Sequence, residues 1–240
     1  MRIRYDFHLH SCLSPCGDED MTPYNLVNMA KLLDLEAIAL TDHNTVGNCR
    51  SAIEAGRECG ITVLPGMELC TSEEIHVVCL FPAIENAEAF GAYVKGQLPP
   101  VKNKPEVFGR QLYMDAADGV LGEEPILLVT ASFLTVDALP ALCAEYGGFC
   151  YPAHIDRSSF SVLSAFGMIT ADMGFTCAEI SLNGDVGALA ARHPDLNRMR
   201  IMRSSDAHYL ENMMEATDTL AVEENAPAAI VRALRERGLR

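Results

Sequence analysis

The chain has 240 residues, 49% hydrophobic and 21% charged, enough for one substantial globular core. Its formal charge of −15 argues against broad electrostatic binding to nucleic acid or to an anionic membrane. No apolar run reaches the roughly 18 residues that cross a bilayer, and "MRIRYDF" lacks the apolar stretch of a signal peptide, so a cytoplasmic location is expected.

The first apolar segment, "IRYDFHLH", reads as a strand carrying His8 and His10 two apart, where side chains share a face. Asp18, Glu19 and Asp20 follow in the next loop. Cys12 and Cys16 lie beside the pair, as small loop residues or as metal or redox contacts; the other seven cysteines are scattered, several in apolar runs, and read as reduced buried thiols. In the helical "PYNLVNMAKLLDL", Leu26, Met29, Ala30 and Leu33 form a stripe that packs on a sheet. A strand "EAIALTDH" then ends in Asp42 and His43, the helix "NCRSAIEAGRECG" follows, "ITVLPGMEL" ends in Glu68, and "EIHVVCLF" carries His76.

After "AIENAEAFGAYVKGQ" a Pro-, Gly- and charge-rich stretch at about 98–125 has no sustained period and reads as a loop or hairpin excursion, forming much of a substrate-selecting wall. Alternation resumes with "VDALPALCAEYGG", with "GFCYPAHI" and its His154, then "CAEISL", "GDVGALAARHP", "MRIMRSSDAH" with Asp206 and His208, "TDTLAVEE", and a terminal helix "PAAIVRALRERG". No repeat or linker is visible, so a single domain over 1–240 is expected. About seven strands with helices between them predict parallel βα units and a βα barrel.

Six of the seven histidines thus fall on strands or at their C-terminal ends, the edge where a βα barrel builds its active site; His193, in "ARHPDL", reads as a surface residue. Six imidazoles alternating with carboxylates match the mixed nitrogen and oxygen ligand sets of Zn, Mn or Fe. Arg157, three residues beyond His154, would stand at the mouth, able to clamp a phosphate through its two-pronged guanidinium.

The HxH start (His8, His10), TDH (His43), GxE strand (Glu68), strand histidine (His76), PAH segment (His154) and terminal SDxH (Asp206, His208) resemble the PHP family, the polymerase and histidinol phosphatase superfamily, over nearly the whole chain. The resemblance implies a distorted (β/α)7 barrel with two or three divalent ions at the C-terminal ends of the strands. It implies one ion on His8, His10 and Asp206, with Glu68 bridging to a second on His76 and His154. A third would take His43, His208 and a residue from the loop after HxH. Here the sequence departs from the pattern: Pro15 stands where an acid or histidine is usual, and the choice falls on Asp18, with Asp20 as the alternative. Glu68, Asp206 and His208 would bear most directly on catalysis and Arg157 on substrate.

The implied reaction is phosphoester hydrolysis by a metal-activated hydroxide, on a small phosphomonoester, nucleotide or oligonucleotide end. No extended nucleic-acid surface and no membrane contact are expected. The alternatives are an amidohydrolase, disfavoured because the lysines at 31, 95, 102 and 104 fall outside the strands, and a non-catalytic metal-binding module, disfavoured by the full ligand set.

Overall fold

The computed structural model describes residues 1–216 and 218–236. Thr217, the first residue of the predicted "TDTLAVEE" segment, and residues 237–238 of the predicted terminal helix lie outside them. In chain order the elements are β1 (Arg2–Leu9), α1 (Pro23–Leu32), β2 (Ala37–Leu40), α2 (Cys49–Cys59), β3 (Thr62–Cys70), β4 (His76–Leu80) and α3 (Ile84–Lys95). They continue with α4 (Pro105–Phe108), β5 (Leu112–Met114), β6 (Val120–Glu123), α5 (Leu139–Glu145), β7 (Phe149–Pro152) and α6 (Val162–Phe166). Last come β8 (Cys177–Ile180), α7 (Val186–Arg192), β9 (Arg200–Arg203), β10 (Thr219–Ala221) and α8 (Pro227–Glu236).

Local chemistry sets the first units. Thr22 caps α1 by accepting the Asn25 N–H at 3.1 Å, Pro23 opens the helix, and Leu26, Val27 and Ala30 face the core. Gly56 lets α2 lie against β3, because a Cβ there would stand 2.6 Å from Val63 Cγ2. These two βα units produce the parallel ladder β1–β2–β3.

The strands are consistent with the distorted βα barrel expected from the sequence, but they are not parallel throughout. One sheet has the order β10-β1-β2-β3-β4-β7, with β8 and β9 as a separate parallel pair. β3 and β4 are joined by a short turn at 71–75, too short to hold a helix, so they pair antiparallel, as do β4 with β7 and β10 with β1. The result is a mixed α/β fold with a sheet curled into a half barrel. At one edge loop hydrogen bonds complete the curl: Asp206 N–H to the His8 carbonyl at 3.0 Å, His10 N–H to the Ala207 carbonyl at 3.1 Å, and Ile155 N–H to the Glu179 carbonyl at 2.8 Å.

Ile3, Tyr5, Phe7, Leu64, Tyr151 and Met202 fill the inside of the curl with Ile230, Val231 and Leu234 of α8. The other helices pack a second apolar cluster on the outside. The excursion folds into a β5–β6 hairpin that docks on the loop after β1 through the Leu112 N–H and the Cys12 carbonyl, 2.9 Å apart. Gln111 is fully buried within it, donating to the Glu124 and Ile126 carbonyls, both at 2.7 Å. Among the described residues, no helix is long and apolar enough to cross a membrane.

Candidate metal centre

Six histidines and two carboxylates meet where β1, β2 and β3 end. His8 lies near the end of β1 and His10 just past it; His43 follows β2, and Glu68 lies late in β3. β4 runs the opposite way, so its first residue, His76, pairs with Cys70 at this same edge. β7 is antiparallel to β4 in turn, which brings His154 there, and Asp206 and His208 arrive on the segment after β9. In β1, Ile3, Tyr5 and Phe7 face inward, so simple alternation would turn His8 away. The β1–β2 register shifts between Asp6 and Leu9, and this irregularity turns His8 inward as well.

Glu68, 1% exposed, is the hub. Its Oε1 lies 2.9 Å from His76 Nδ1, 3.1 Å from His154 Nε2 and 3.2 Å from His8 Nε2. Its Oε2 lies 3.0 Å from His43 Nδ1 and 3.3 Å from His10 Nε2. Asp206 Oδ1 is 3.3 Å from His8 Nε2 and 3.2 Å from His10 Nε2. His154 and Asp206 have φ of 29° and 53°, and backbone strain of this kind gathers at functional sites.

Residues around this cluster set the ring tautomers. His8 Nδ1 is 2.9 Å from Glu179 Oε1, and His208 Nδ1 is 3.0 Å from the Asp206 carbonyl. His10 Nδ1 is 3.0 Å from Ser14 Oγ, whose own hydroxyl donates to Asp42 Oδ1 at 2.7 Å. All three partners accept, so each Nδ1 carries the proton and each Nε2 presents its lone pair. His8 Nε2 and His10 Nε2 are 3.2 Å apart, and with both rings neutral they are two acceptors that need a cation, a proton or a metal ion, between them and the carboxylates. Among the described residues, buried His43 Nδ1 and Asp206 Oδ1 meet no partner with hydrogen-bond geometry, in spite of the short contacts to Glu68 and His10.

The donors fall into three groups, each with its ligand atoms within 4.8 Å of one another: His8, His10, Glu68 and Asp206; His43, Glu68 and His76; and His10, His43 and His208. Orphaned donors, paired lone pairs and a nitrogen/oxygen ligand set all fit divalent ions.

The electrostatics point the same way. Burial disfavours charge on Glu68, but His76, His8 and His43 outweigh it and hold the carboxyl well below the usual range; burial likewise opposes ionised Asp206, and His8 and His10 prevail. Burial lowers His10, yet Asp206 and Glu68 raise it to about 9; His43 also reaches about 9, chiefly through Glu68. His208 is pushed down to about 3 by burial and the charge of His10, so it is neutral at ordinary pH.

Eight of the nine expected ligands meet here. Asp18 stands apart from all three groups: its carboxylate turns back to accept the Asp20 N–H at 2.9 Å, closing a local turn. Asp20 is exposed. Arg157 is half-exposed, with Nη1 2.6 Å from Asp206 Oδ2, so it touches an expected metal ligand directly.

Sequence reasoning missed the supports. Glu179, 1% exposed, orients His8 and accepts the His154 N–H at 3.1 Å. Asp6, pushed up to about 6 by burial, accepts the N–H groups of His8 and Ser205, both at 3.2 Å. Their signal was an acid inside an apolar strand, "CAEI" and "RYDF", since such a group is buried only when partnered. His193, read as surface, lines an open cavity of about 500 Å³ with Arg157, Asp156, Ser158, Ser164 and Arg192.

The sequence profile of the PHP domain matches residues 6–157. A 5′-3′ exoribonuclease of Haemophilus influenzae is 36% identical over 83 residues, 33% of this chain and 29% of that protein. The lesion-specific endonuclease Q of Pyrococcus furiosus has a similar fold, with a TM-score of 0.72, 16% identity, and coverage of 98% of this chain and 56% of that one. A structure of endonuclease Q with a 27-mer duplex substrate carrying an abasic lesion at its active site gives a TM-score of 0.67 at 17% identity, covering 98% and 57%. This chain therefore spans less than two thirds of each of these proteins.

The expectation of no extended nucleic-acid surface is overturned by this likeness, because a protein of the same fold is seen with duplex DNA at its active site. Net charge was a poor guide: −15 is summed over the whole chain, whereas cations at the strand ends would set the local field.

Proposed function

The chain belongs to the PHP domain family, and on that premise we propose that it is a metal-dependent phosphoesterase acting on a nucleotide or on a phosphate of a nucleic-acid strand. Members of the family are hydrolases of phosphoester bonds. The observation that carries the reading is the convergence of Glu68, Asp206 and six imidazoles on one buried point, with lone pairs of His8 and His10 facing each other.

His8, His10, Asp206, Glu68, His76 and His154 would hold two ions, and His43 and His208 a further one. Bound ions supply an acidified water and positive charge for the phosphoryl oxygens. Hydrolysis joins a water oxygen to phosphorus and breaks the bond to the leaving alkoxide, which ends protonated. The protein's part is orientation. Glu179, Ser14 and the Asp206 carbonyl hold three Nδ1–H groups so that each Nε2 faces the reacting region. Neutral His208 offers an acceptor at the mouth without adding charge.

One feature supports a base-bearing substrate and a second supports its phosphate. Phe160, 45% exposed and at φ 53°, lies 4.8 Å from the His76 ring in a stacked arrangement. Its open face suits stacking on a nucleobase. Arg157 links the ligand Asp206 to the 500 Å³ cavity, which also offers Arg192 and His193 to a substrate phosphate.

A panel of phosphomonoesters, nucleotides and oligonucleotides with Mn, Zn or Fe tests the reading. Metal-dependent hydrolysis of at least one is expected; a fully metallated protein inert on all of them, or one cleaving amides or lactones instead, would overturn it. Arg157→Lys keeps the charge but loses the paired geometry, and it should lower kcat/KM by roughly ten- to a hundredfold at unchanged metal content. Wild-type kcat/KM in that variant returns Arg157 to an ordinary surface residue.

A further inference from the structure

We propose that Asp42 is a positioning residue at the centre of a buried polar chain that couples seating of the β5–β6 hairpin to metal binding at His10. The proposal rests on the metal-centre reading above and extends it to the hairpin, which holds none of the ligands named there.

Asp42 adjoins His43 in sequence, yet its carboxylate serves other groups. Oδ1 accepts the Ser11 N–H and the Ser14 hydroxyl, both at 2.7 Å, and Oδ2 accepts the Ser11 hydroxyl at 2.6 Å. The chain continues on both sides. Towards the metal centre, Ser14 Oγ accepts from His10 Nδ1 at 3.0 Å and from the His43 N–H at 3.2 Å. Towards the hairpin, Ser11 Oγ accepts from Asn48 Nδ2 at 3.0 Å. That amide gives its second hydrogen to the Leu112 carbonyl, and its Oδ1 accepts the Met114 N–H, both at 3.0 Å. Ser11, Ser14 and Asn48 are fully buried and Asp42 is 1% exposed.

The hydrogens in this chain have one consistent arrangement. Both serine hydroxyls point at Asp42, which leaves their lone pairs for His10 and Asn48, and turning the Asn48 amide over would set two N–H groups against each other at Met114. Asn48 stands just before α2 but makes no side-chain cap to that helix, so its amide is given over to Ser11 and the hairpin. Cutting any link leaves a buried polar group unpaired.

Both arms of the chain meet in one turn. The Ser14 N–H donates to the Ser11 carbonyl at 3.0 Å and the Leu13 N–H to Ser11 Oγ at 3.2 Å. The same turn also touches the hairpin directly: the Leu112 N–H donates to the Cys12 carbonyl at 2.9 Å, and Cys12, Leu112 and Met114 form a small apolar cluster. Residues 11–14 thus meet the ligand His10 on one side and the hairpin on the other. An ion on His10 Nε2 makes the Nδ1–H a stronger donor, which fixes Ser14 and with it the turn. The hairpin then seats on a surface already ordered, and by linkage a seated hairpin raises affinity for the ion by the same factor.

Amide hydrogen exchange of the full chain, with and without Zn²⁺, reads this coupling without turnover. Zinc should slow exchange of the Leu112 and Met114 N–H groups about fivefold or more in the wild type. Ser14→Ala and Asp42→Asn, with their fold checked by circular dichroism, should each lose that slowing. A merely structural role would change exchange equally with and without zinc and leave the ratio untouched. In the other direction, Asn48→Ala should weaken zinc binding by a similar factor, measured by competition with a chromophoric chelator. Zinc bound with exchange at Leu112 and Met114 unchanged overturns the proposal; so does the full slowing in folded Ser14→Ala and Asp42→Asn, or wild-type zinc affinity in folded Asn48→Ala. Should a variant fail to fold, the wild-type exchange still decides. A chain that takes up no zinc by elemental analysis overturns the metal-centre reading and this proposal together, whereas failure of the phosphoesterase reading appears separately, as an inert protein in the substrate panel.

Discussion

Glu68→Gln is expected to abolish phosphoester hydrolysis, lowering kcat by a hundredfold or more, of the order seen when one preorganised electrostatic group is removed from an active site. The change is almost isosteric, but it replaces an anion that faces five imidazoles within 3.3 Å. An amide also offers one oxygen where the carboxylate offers two, so it cannot serve His8, His154 and His76 on one side and His43 and His10 on the other. Elemental analysis should show fewer bound ions, with circular dichroism unchanged. Asp206→Asn should behave alike, since asparagine tolerates the φ of 53° at that position, and it additionally frees Arg157 from its 2.6 Å contact. Near-normal turnover with full metal content in either variant would show that its carboxylate is not a ligand.

Removal of metal is expected to have the second large effect. The purified protein should hold at least two transition-metal ions per chain, and their identity should follow supply, because imidazole and carboxylate discriminate weakly among Mn, Fe and Zn. Ions held at a hundred times their Kd add about 2.7 kcal/mol each, so chelation should lower Tm on the order of 10–20 °C for two sites. The pH dependence has a definite sign. In the ion-free protein His10 and His43 sit at about 9, raised above the value near 6.5 of an unfolded histidine. The folded state therefore binds more protons between these values. The stabilisation is full below about pH 6.5 and is lost as pH rises through 9. Chelated protein should thus melt at progressively lower temperature across that window, and adding Mn²⁺ or Zn²⁺ at pH 9 should restore Tm by replacing the protons. A Tm indifferent to chelation, with no metal found after supplemented expression, would end the metal-centre reading.

Much of the site was legible in the chain because its chemistry is local. Histidines at strand ends announce themselves by residue type and by position against an apolar run, and His8, His10, His43, Glu68, His76, His154, Asp206 and His208 all reach one edge of the sheet. The parallel β1–β2–β3 units were legible for the same reason: helical and strand periods alternate within short windows.

What the tertiary structure alone decided is pairing over distance. Strand direction at β4 and β7 follows from connection length and curl, and it is this reversal that places His76, first in its strand, beside Glu68 near the end of another. The inward turn of His8 comes from a register irregularity that alternation cannot foresee. Glu179, Asp6 and Ser14 became meaningful only once their partners, up to about 200 residues away, were brought to them. The Asp18 carboxylate lies outside the three metal groups, where a turn two residues long points it at the Asp20 N–H. Composition and spacing name the donors, because those belong to single residues; which lone pair faces which, and which loop closes over them, depends on the packing of the whole curl.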